Sequence, residues 1–369
     1  MTQTPLVHAD RVRTWLCDHA LPLWSTAGID PSGAGAWEAL EHDGTPQRSR
    51  DKRLRVMPRQ AFVFASAHMA GQGDYLALAR DLFGFAMTRG FDPDTGHLAA
   101  RLSPAGDILN APHDLYDLAF MLLAAAALTE AGIDTSDALS RLKQSLNQLK
   151  APRGWYEDAA HSLPRRQNPH MHLFEAATEL FRVTGDPDWR AVADECLGLF
   201  AEVFLQPDGR VLEFYTRDWT PVTEGQAVEP GHMAEWVWLL DRYELATGQG
   251  AGAEAGIDAD AMFGAAIAAR DGAGLLPDSL LPASDSRRTW PQTELLKACL
   301  ARRRQGKPEL LHPDAVLAPM FAEYLETQVP GGWYDKRGLD GRLLSTDMPS
   351  STFYHLHGAC TAYLAAAED

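Results

Sequence analysis

Six times along the chain, a polar or aromatic residue leads straight into an apolar run with helical spacing, and nothing restricts the fold more. The six stretches are Arg59-Gln-Ala-Phe-Val-Phe, Tyr116-Asp-Leu-Ala-Phe, His172-Leu-Phe-Glu-Ala, His232-Met-Ala-Glu-Trp, Trp290-Pro-Gln-Thr-Glu and His355-Leu-His-Gly-Ala. Subtracting their numbers gives intervals of 57, 56, 60, 58 and 65 residues. A fixed period of this length fits two helices and two connections, so each repeat is a helical hairpin that cannot bury its apolar face alone. Second helices are expected between the starts, as at Tyr75 to Met87 and Trp189 to Phe204, introduced by the turns Gly73-Asp-Tyr75 and Asp186-Pro-Asp-Trp189. Asp-Gly and related turns within 91–98, 205–212 and 332–343 predict short β-hairpins in the connections.

Six such hairpins either stack as an open solenoid or close into an (α/α)6 barrel. An open stack needs terminal repeats with a polar outer face. Here the helices at both chain ends are rich in Ala, Leu and aromatics, which predicts closure into a single all-α domain over 1–369. His355 to Ala367 is expected as the last inner helix, with Arg11 to Trp24 as the outer helix that seals the ring. Gly248 to Gly256 is expected as a loop between helices.

Composition closes off several function classes. A net charge of −17 argues against nucleic acid, whose phosphates call for a basic surface. Arg302-Arg-Arg304, the one tight basic run, is expected as a solvated helix end. The longest apolar run, Leu118 to Leu128, is too short to span a bilayer, and Met1-Thr-Gln-Thr-Pro lacks a signal-peptide pattern. Cys17, Cys196, Cys299 and Cys360 are scattered, as buried thiols in a reducing compartment would be. A cytoplasmic protein, monomeric or homodimeric and without a membrane partner, is therefore expected.

In a closed barrel the six starts converge at one end. The expected pocket holds Arg59, Tyr116, His172, Glu175, His232, Glu235, Trp290, Glu294 and His355, where helix N-termini add partial positive charge. Imidazoles take and return protons near neutral pH, so two of them facing one substrate suit acid/base work. Glu175 and Glu235 each follow a histidine by three residues, placed to orient it, raise its pKa or bind a hydroxyl; each is equally placed to favour a helix dipole. His170, expected just before its helix, points elsewhere in this scheme, and no Cys or His-x-x-x-His completes a metal set, so no metal and no cofactor are expected. Arg59 can hold a sugar oxygen or a developing enediolate. Trp155, Trp236, Trp290 and Trp333 could offer a sugar an aromatic face, although each fits a core equally well. The pocket as a whole suits a polyhydroxylated substrate.

Pro58-Arg-Gln60, His113 to Phe120, Asn168-Pro-His-Met-His-Leu-Phe-Glu-Ala176, Glu229 to Trp236, Arg288-Thr-Trp-Pro-Gln-Thr-Glu294 and Ser351-Thr-Phe-Tyr-His355 resemble, as a set, the N-acylglucosamine 2-epimerase superfamily, from about Arg11 to the C-terminus. The resemblance implies an (α/α)6 barrel and metal-independent proton transfer at C1 and C2 of an aldose. It implies that His232 and His355 are the catalytic histidines with Glu235 beside the first. It puts Arg59, Tyr116, Asn168, His172, Glu175 and Trp290 at substrate-binding positions. The wording of the motifs is nearest the mannose isomerase branch, whose members interconvert D-mannose and D-fructose and whose similar substrates include D-lyxose. A 2-epimerase acting on mannose, cellobiose or an N-acylhexosamine would use the same residues. A glycoside hydrolase on this barrel would need two opposed carboxylates and leave the histidines idle.

Overall fold

The computed structural model describes residues 4–250 and 256–368. Met1–Gln3, the centre of the expected loop at 251–255, and Asp369 lie outside the described residues.

Six inner helices form a closed ring: Val56–Met69, Leu115–Glu130, Gln167–Thr184, Pro230–Thr247, Thr289–Arg304 and Phe353–Glu368. Each packs on the next, and the sixth packs back on the first. The expected repeat landmarks lie one to five residues inside these helices. Leu115–Glu130 shows why the sequence folds this way. Asp114 caps it, its carboxylate accepting from the backbone N–H of Tyr116 and Asp117. The apolar run from Leu118 to Leu128 is then buried on every side, as an inner helix clasped by two neighbours must be. Each buried leucine there contributes about 1.5–3 kcal/mol. Gly185 and Gly248 end two of the inner helices in the left-handed conformation, which costs glycine little.

The outer ring consists of Leu76–Arg89, Ser136–Gln148, Pro187–Leu199, Ala259–Ala268, Pro313–Met320 and an N-terminal helix. Two of them continue as wider π-helical turns, Phe200–Phe204 and Phe321–Leu325. The N-terminal helix runs through Ala9–Arg13, a π-helical Thr14–Ala20 and Leu21–Thr26. It lies against Phe353–Glu368 as expected; the backbone N–H of His8 donates to the Tyr363 hydroxyl at 3.1 Å, and Trp24 stacks on Trp333 with centroids 4.3 Å apart.

The expected hairpins at 91–98, 205–212 and 332–343 each reduce to one isolated bridge, Phe91 with Leu98, Leu205 with Val211 and Arg337 with Leu343. More extensive pairing joins different repeats. Lys52–Arg53 pairs with Arg101–Leu102, Arg165–Arg166 with Phe214–Tyr215, Ser286–Arg288 with Lys336–Gly338, and Ala39–Glu41 with Asp347–Pro349. Each pair carries one strand just upstream of an inner helix, so the ladders staple neighbouring repeats at the mouth of the barrel.

Two expectations change. Arg302-Arg-Arg304 is not a solvated run: Arg302 is buried and paired with Asp260, and Arg304 pairs with the buried Asp241. His170 does not precede its helix but sits in the first turn, fully buried, its Nδ1 3.0 Å from the Arg166 carbonyl and its Nε2 accepting from the Trp155 N–H. It does point away from the site.

Candidate active site

Residues from five inner helices meet through a chain of ring contacts. His232 lies 5.0 Å from Trp290 between ring centroids, and Trp290 lies 5.7 Å from His355. His355 packs on Tyr354 at 4.7 Å, Tyr354 on Phe120 at 5.4 Å, and Phe120 on His172 at 4.6 Å. Tyr116 stands edge-on to His172 at 5.1 Å. Arg59, from the first inner helix, closes the circle. Its Nη2 donates to the Tyr116 hydroxyl at 2.6 Å, its Nη1 to the Ser351 carbonyl at 3.1 Å, and its guanidinium lies 4.0 Å over Phe120.

Each of the three expected histidines is buried and held through Nδ1 by a carboxylate. His172 pairs with Glu175 at 3.1 Å, His232 with Glu213 at 2.7 Å and His355 with Glu294 at 2.8 Å. Among the described residues no Nε2 of the three has a protein partner. The ring nitrogen opposite a fixed Nδ1–H is the one left for a substrate.

The surroundings of the pair flanking Trp290 differ in charge. His232 faces Glu213 and, at 3.8 Å, Glu229. Burial opposes its charging, but these carboxylates outweigh burial and push its pKa up to about 10. His355 faces Glu294, whose other oxygen holds the Lys297 ammonium at 2.6 Å. With that carboxylate already compensated, burial prevails and brings His355 down to about 4. His172 is likewise brought down to about 4 by burial, against its bond to Glu175. At neutral pH one imidazole is cationic and its counterpart across Trp290 is neutral.

Glu235, one of whose expected roles was to raise the pKa of His232, contributes less to that than Glu213 and Glu229. Neither of its oxygens has a hydrogen-bond partner among the described residues, and burial beside Glu294 and Glu175 raises its pKa well above the usual carboxylate value. Glu213 takes the tuning role instead. It precedes the Phe214–Tyr215 strand, and Gln167 Nε2 donates to both its oxygens at 3.0 and 3.2 Å. The Gln167 side-chain oxygen in turn accepts from Trp236 Nε1 at 3.0 Å. Glu213, Lys297 and Tyr354 were missed from sequence. Tyr354 lies within the Ser351 to His355 motif without having been given a role, and donates to Glu175; Lys297 follows Glu294 by three, a helical ion-pair spacing; Glu213 had no local signal. Asn168 is the second residue of its helix, and its buried Oδ1 has no partner. Trp155, Trp236 and Trp333 are core residues, so Trp290 alone of the four flanks the histidines.

Three clusters bring an imidazole and two carboxylates within 4.8 Å of one another: His172–Glu175–Glu235, Glu213–Glu229–His232 and Glu235–Glu294–His355. Their ligand count is compatible with a divalent metal, but in each cluster the imidazole Nδ1 is already engaged by a carboxylate. A cavity of about 770 Å³ opens at the opposite end of the barrel, among the C-terminal halves of the inner helices. It reaches Glu175, Lys297 and Tyr354 from below but none of the three histidines.

Residues 35–359 match the N-acylglucosamine 2-epimerase (GlcNAc 2-epimerase) family. The chain is 35% identical to a mannose-6-phosphate isomerase of Rhizobium meliloti (strain 1021), over 97% of this chain and 96% of that one. It is 29% identical to a D-mannose isomerase of Thermobifida fusca, over 87% and 86%. Its fold matches that of cellobiose 2-epimerase from Spirochaeta thermophila DSM 6192 with a TM-score of 0.86 at 23% identity, covering 98% of this chain and 96% of that one.

Proposed function

The chain belongs to the N-acylglucosamine 2-epimerase family, a sugar isomerase/epimerase enzyme by its relatives, and from that premise we propose that it interconverts D-mannose, or a similar aldose such as D-lyxose, with the corresponding ketose (D-fructose from mannose) through a cis-enediolate, without a metal. The observation that carries this reading is the pair of imidazoles on either side of Trp290, one neutral and one cationic.

The chemistry follows from those charge states. His172 assists opening of the sugar ring. His355, neutral, accepts the C2 proton on its free Nε2. The C2–H electron pair becomes the C1–C2 double bond, and the former carbonyl pair moves onto O1. Cationic His232 and Arg59 stabilise that oxygen, and preorganised charge of this kind is commonly the largest catalytic contribution. Transfer of the O2 proton to O1, and return to C1 of the proton that His355 took, give the ketose and leave His355 neutral again. A proton delivered instead by His232 to the opposite face of C2 would give the epimer. Glu235 and Asn168, whose buried oxygens have no partner among the described residues, would hydrogen-bond sugar hydroxyls, with Tyr116 and Glu175 supporting Arg59 and His172.

Metal independence is supported by the same arrangement. A cationic His232 has no lone pair for a metal at neutral pH, and Lys297 already occupies Glu294. The test is to treat the protein with a chelator, incubate it with D-mannose and analyse the sugars. Fructose is expected. Glucose alone would replace the isomerase reading with a 2-epimerase, and activity lost to the chelator and restored by a metal would overturn metal independence.

A further inference from the structure

Beside the mouth, on the Arg59–Tyr116 side, a second pocket of about 290 Å³ is lined by Glu38, Arg50, Asp51, Arg53, Arg55, Ala100, Arg101 and Asn110. In a chain of net charge −17, four guanidiniums gather at this one pocket. Carboxylates answer them unevenly. Arg53 is held by Glu38 at 2.5 Å and Arg50 by Asp347 at 2.7 Å. Among the described residues Arg101, 59% exposed, has only Asp51 at 3.7 Å. Arg55 meets Asp117 through Nε at 2.6 Å, and its two terminal nitrogens have no hydrogen-bond partner among the described residues. Asp117 is wholly buried, and burial raises its pKa to about 7, so it compensates Arg55 only in part at neutral pH. The forked donor face of Arg55 and the guanidinium of Arg101 are therefore left for an external acceptor.

The pocket is one side chain away from the catalytic ring. Arg55 lies 4.8 Å over the Tyr116 ring, whose hydroxyl accepts from Arg59. Ser351 joins the two on the other side, its hydroxyl accepting from Arg53 and its carbonyl from Arg59, each at 3.1 Å. A substrate that reaches the histidine pair and extends past Tyr116 arrives at these donors. Planar guanidiniums match the oxygens of a phosphate monoester in geometry as well as charge.

We propose that the Arg53–Arg55–Arg101 pocket is an anion subsite that receives the phosphate of an aldose phosphate whose C1–C2 end lies between His232 and His355. It rests on the isomerase reading only for the placement of that end. The sugar is then selected by two separate recognitions, one of its reacting carbons and one of a charged group further along the chain.

The test is calorimetric binding of D-mannitol, D-mannitol 1-phosphate and inorganic phosphate, none of which can isomerise, to the wild-type protein and to Arg55→Ala and Arg101→Ala. Charge-assisted hydrogen bonds predict that the phosphate ester binds at least ~10-fold tighter than mannitol. That ratio is expected to fall toward one in each variant and to shrink as salt rises. A ratio near one in the wild type overturns the proposal, as does a ratio that survives both substitutions. Inorganic phosphate binding as tightly as the ester, and not displaced by it, would mean a separate anion site and would also overturn it. Should Arg55→Ala disturb Asp117, the exposed Arg101→Ala still decides. Turnover of neither mannose nor mannose 6-phosphate would sink the isomerase reading while the affinity ratio still judged the subsite.

Discussion

The two imidazoles flanking Trp290 share a helical position and a carboxylate partner, yet differ in charge because of what lies one step further out. His232 has Glu213 with no cation behind it; His355 has Glu294 with Lys297 behind it. Activity that needs His355 neutral and His232 protonated should rise through about pH 4 and fall through about pH 10. Glu213→Gln removes the larger attraction on the His232 proton, so the falling limb should move to lower pH; an unmoved limb in the pH–rate profile would show that Glu213 does not set the charge. His232→Ala and His355→Ala should each lower kcat by about 10²–10⁴-fold, the usual range for a lost general acid or base; either variant with full activity would refute the assignment. The histidines were legible because they recur in phase with the repeat. Glu213 was not, because its reach depends on a strand pairing 19 residues before His232 that no local pattern announces.

At the scale of the element, a helix start is a device for holding one side chain at the mouth. The start at Pro230-Gly231-His232 shows its tolerances. A β-carbon on Gly231 would come within 2.6 Å of the Trp290 ring and 2.9 Å of Pro291. Glycine here lets the fourth and fifth inner helices approach closely enough for Trp290 to lie against His232. Gly231→Ala should push Trp290 aside, cost about 1–3 kcal/mol of stability as overpacked sites do, and lower activity more than its modest volume suggests. Thermal denaturation and kcat/KM on the same preparation would check both. The inner helices were readable from period and apolar pattern alone. The ladders between repeats were not, since strands of two or three residues carry too little alternation to stand out.

For the whole molecule, closure of the ring was legible because apolar helices at both chain ends needed partners, and they found each other. Stability carries a signature of the buried imidazoles. His170 and His357 are brought down to about 3, and His172 and His355 to about 4, all chiefly by burial. Unfolded, each would titrate near 6.5. At these four sites the unfolded chain therefore binds more protons below that pH, and their contribution to stability should be complete above about 6.5 and decline as pH falls toward 4, by up to about 1.4 kcal/mol per pH unit for each histidine, outweighing the opposite contribution of Asp117, whose pKa burial raises to about 7. Denaturant midpoints measured at pH 7, 6 and 5 should fall in that order; a flat series would show that the buried rings are not neutral.

The seal between the first and last helices has a further consequence. The backbone N–H of Val7 donates to Asp314 and that of His8 to Tyr363, so the first described residues lie against the last two helices. A circle of equivalent hairpins has no privileged first member, and the chain order of the repeats is an accident of where the circle was cut. A circular permutant, with its old ends joined by a short flexible linker and a new opening at the Gly132 turn, on the side of the barrel away from the histidines, should fold and keep its activity.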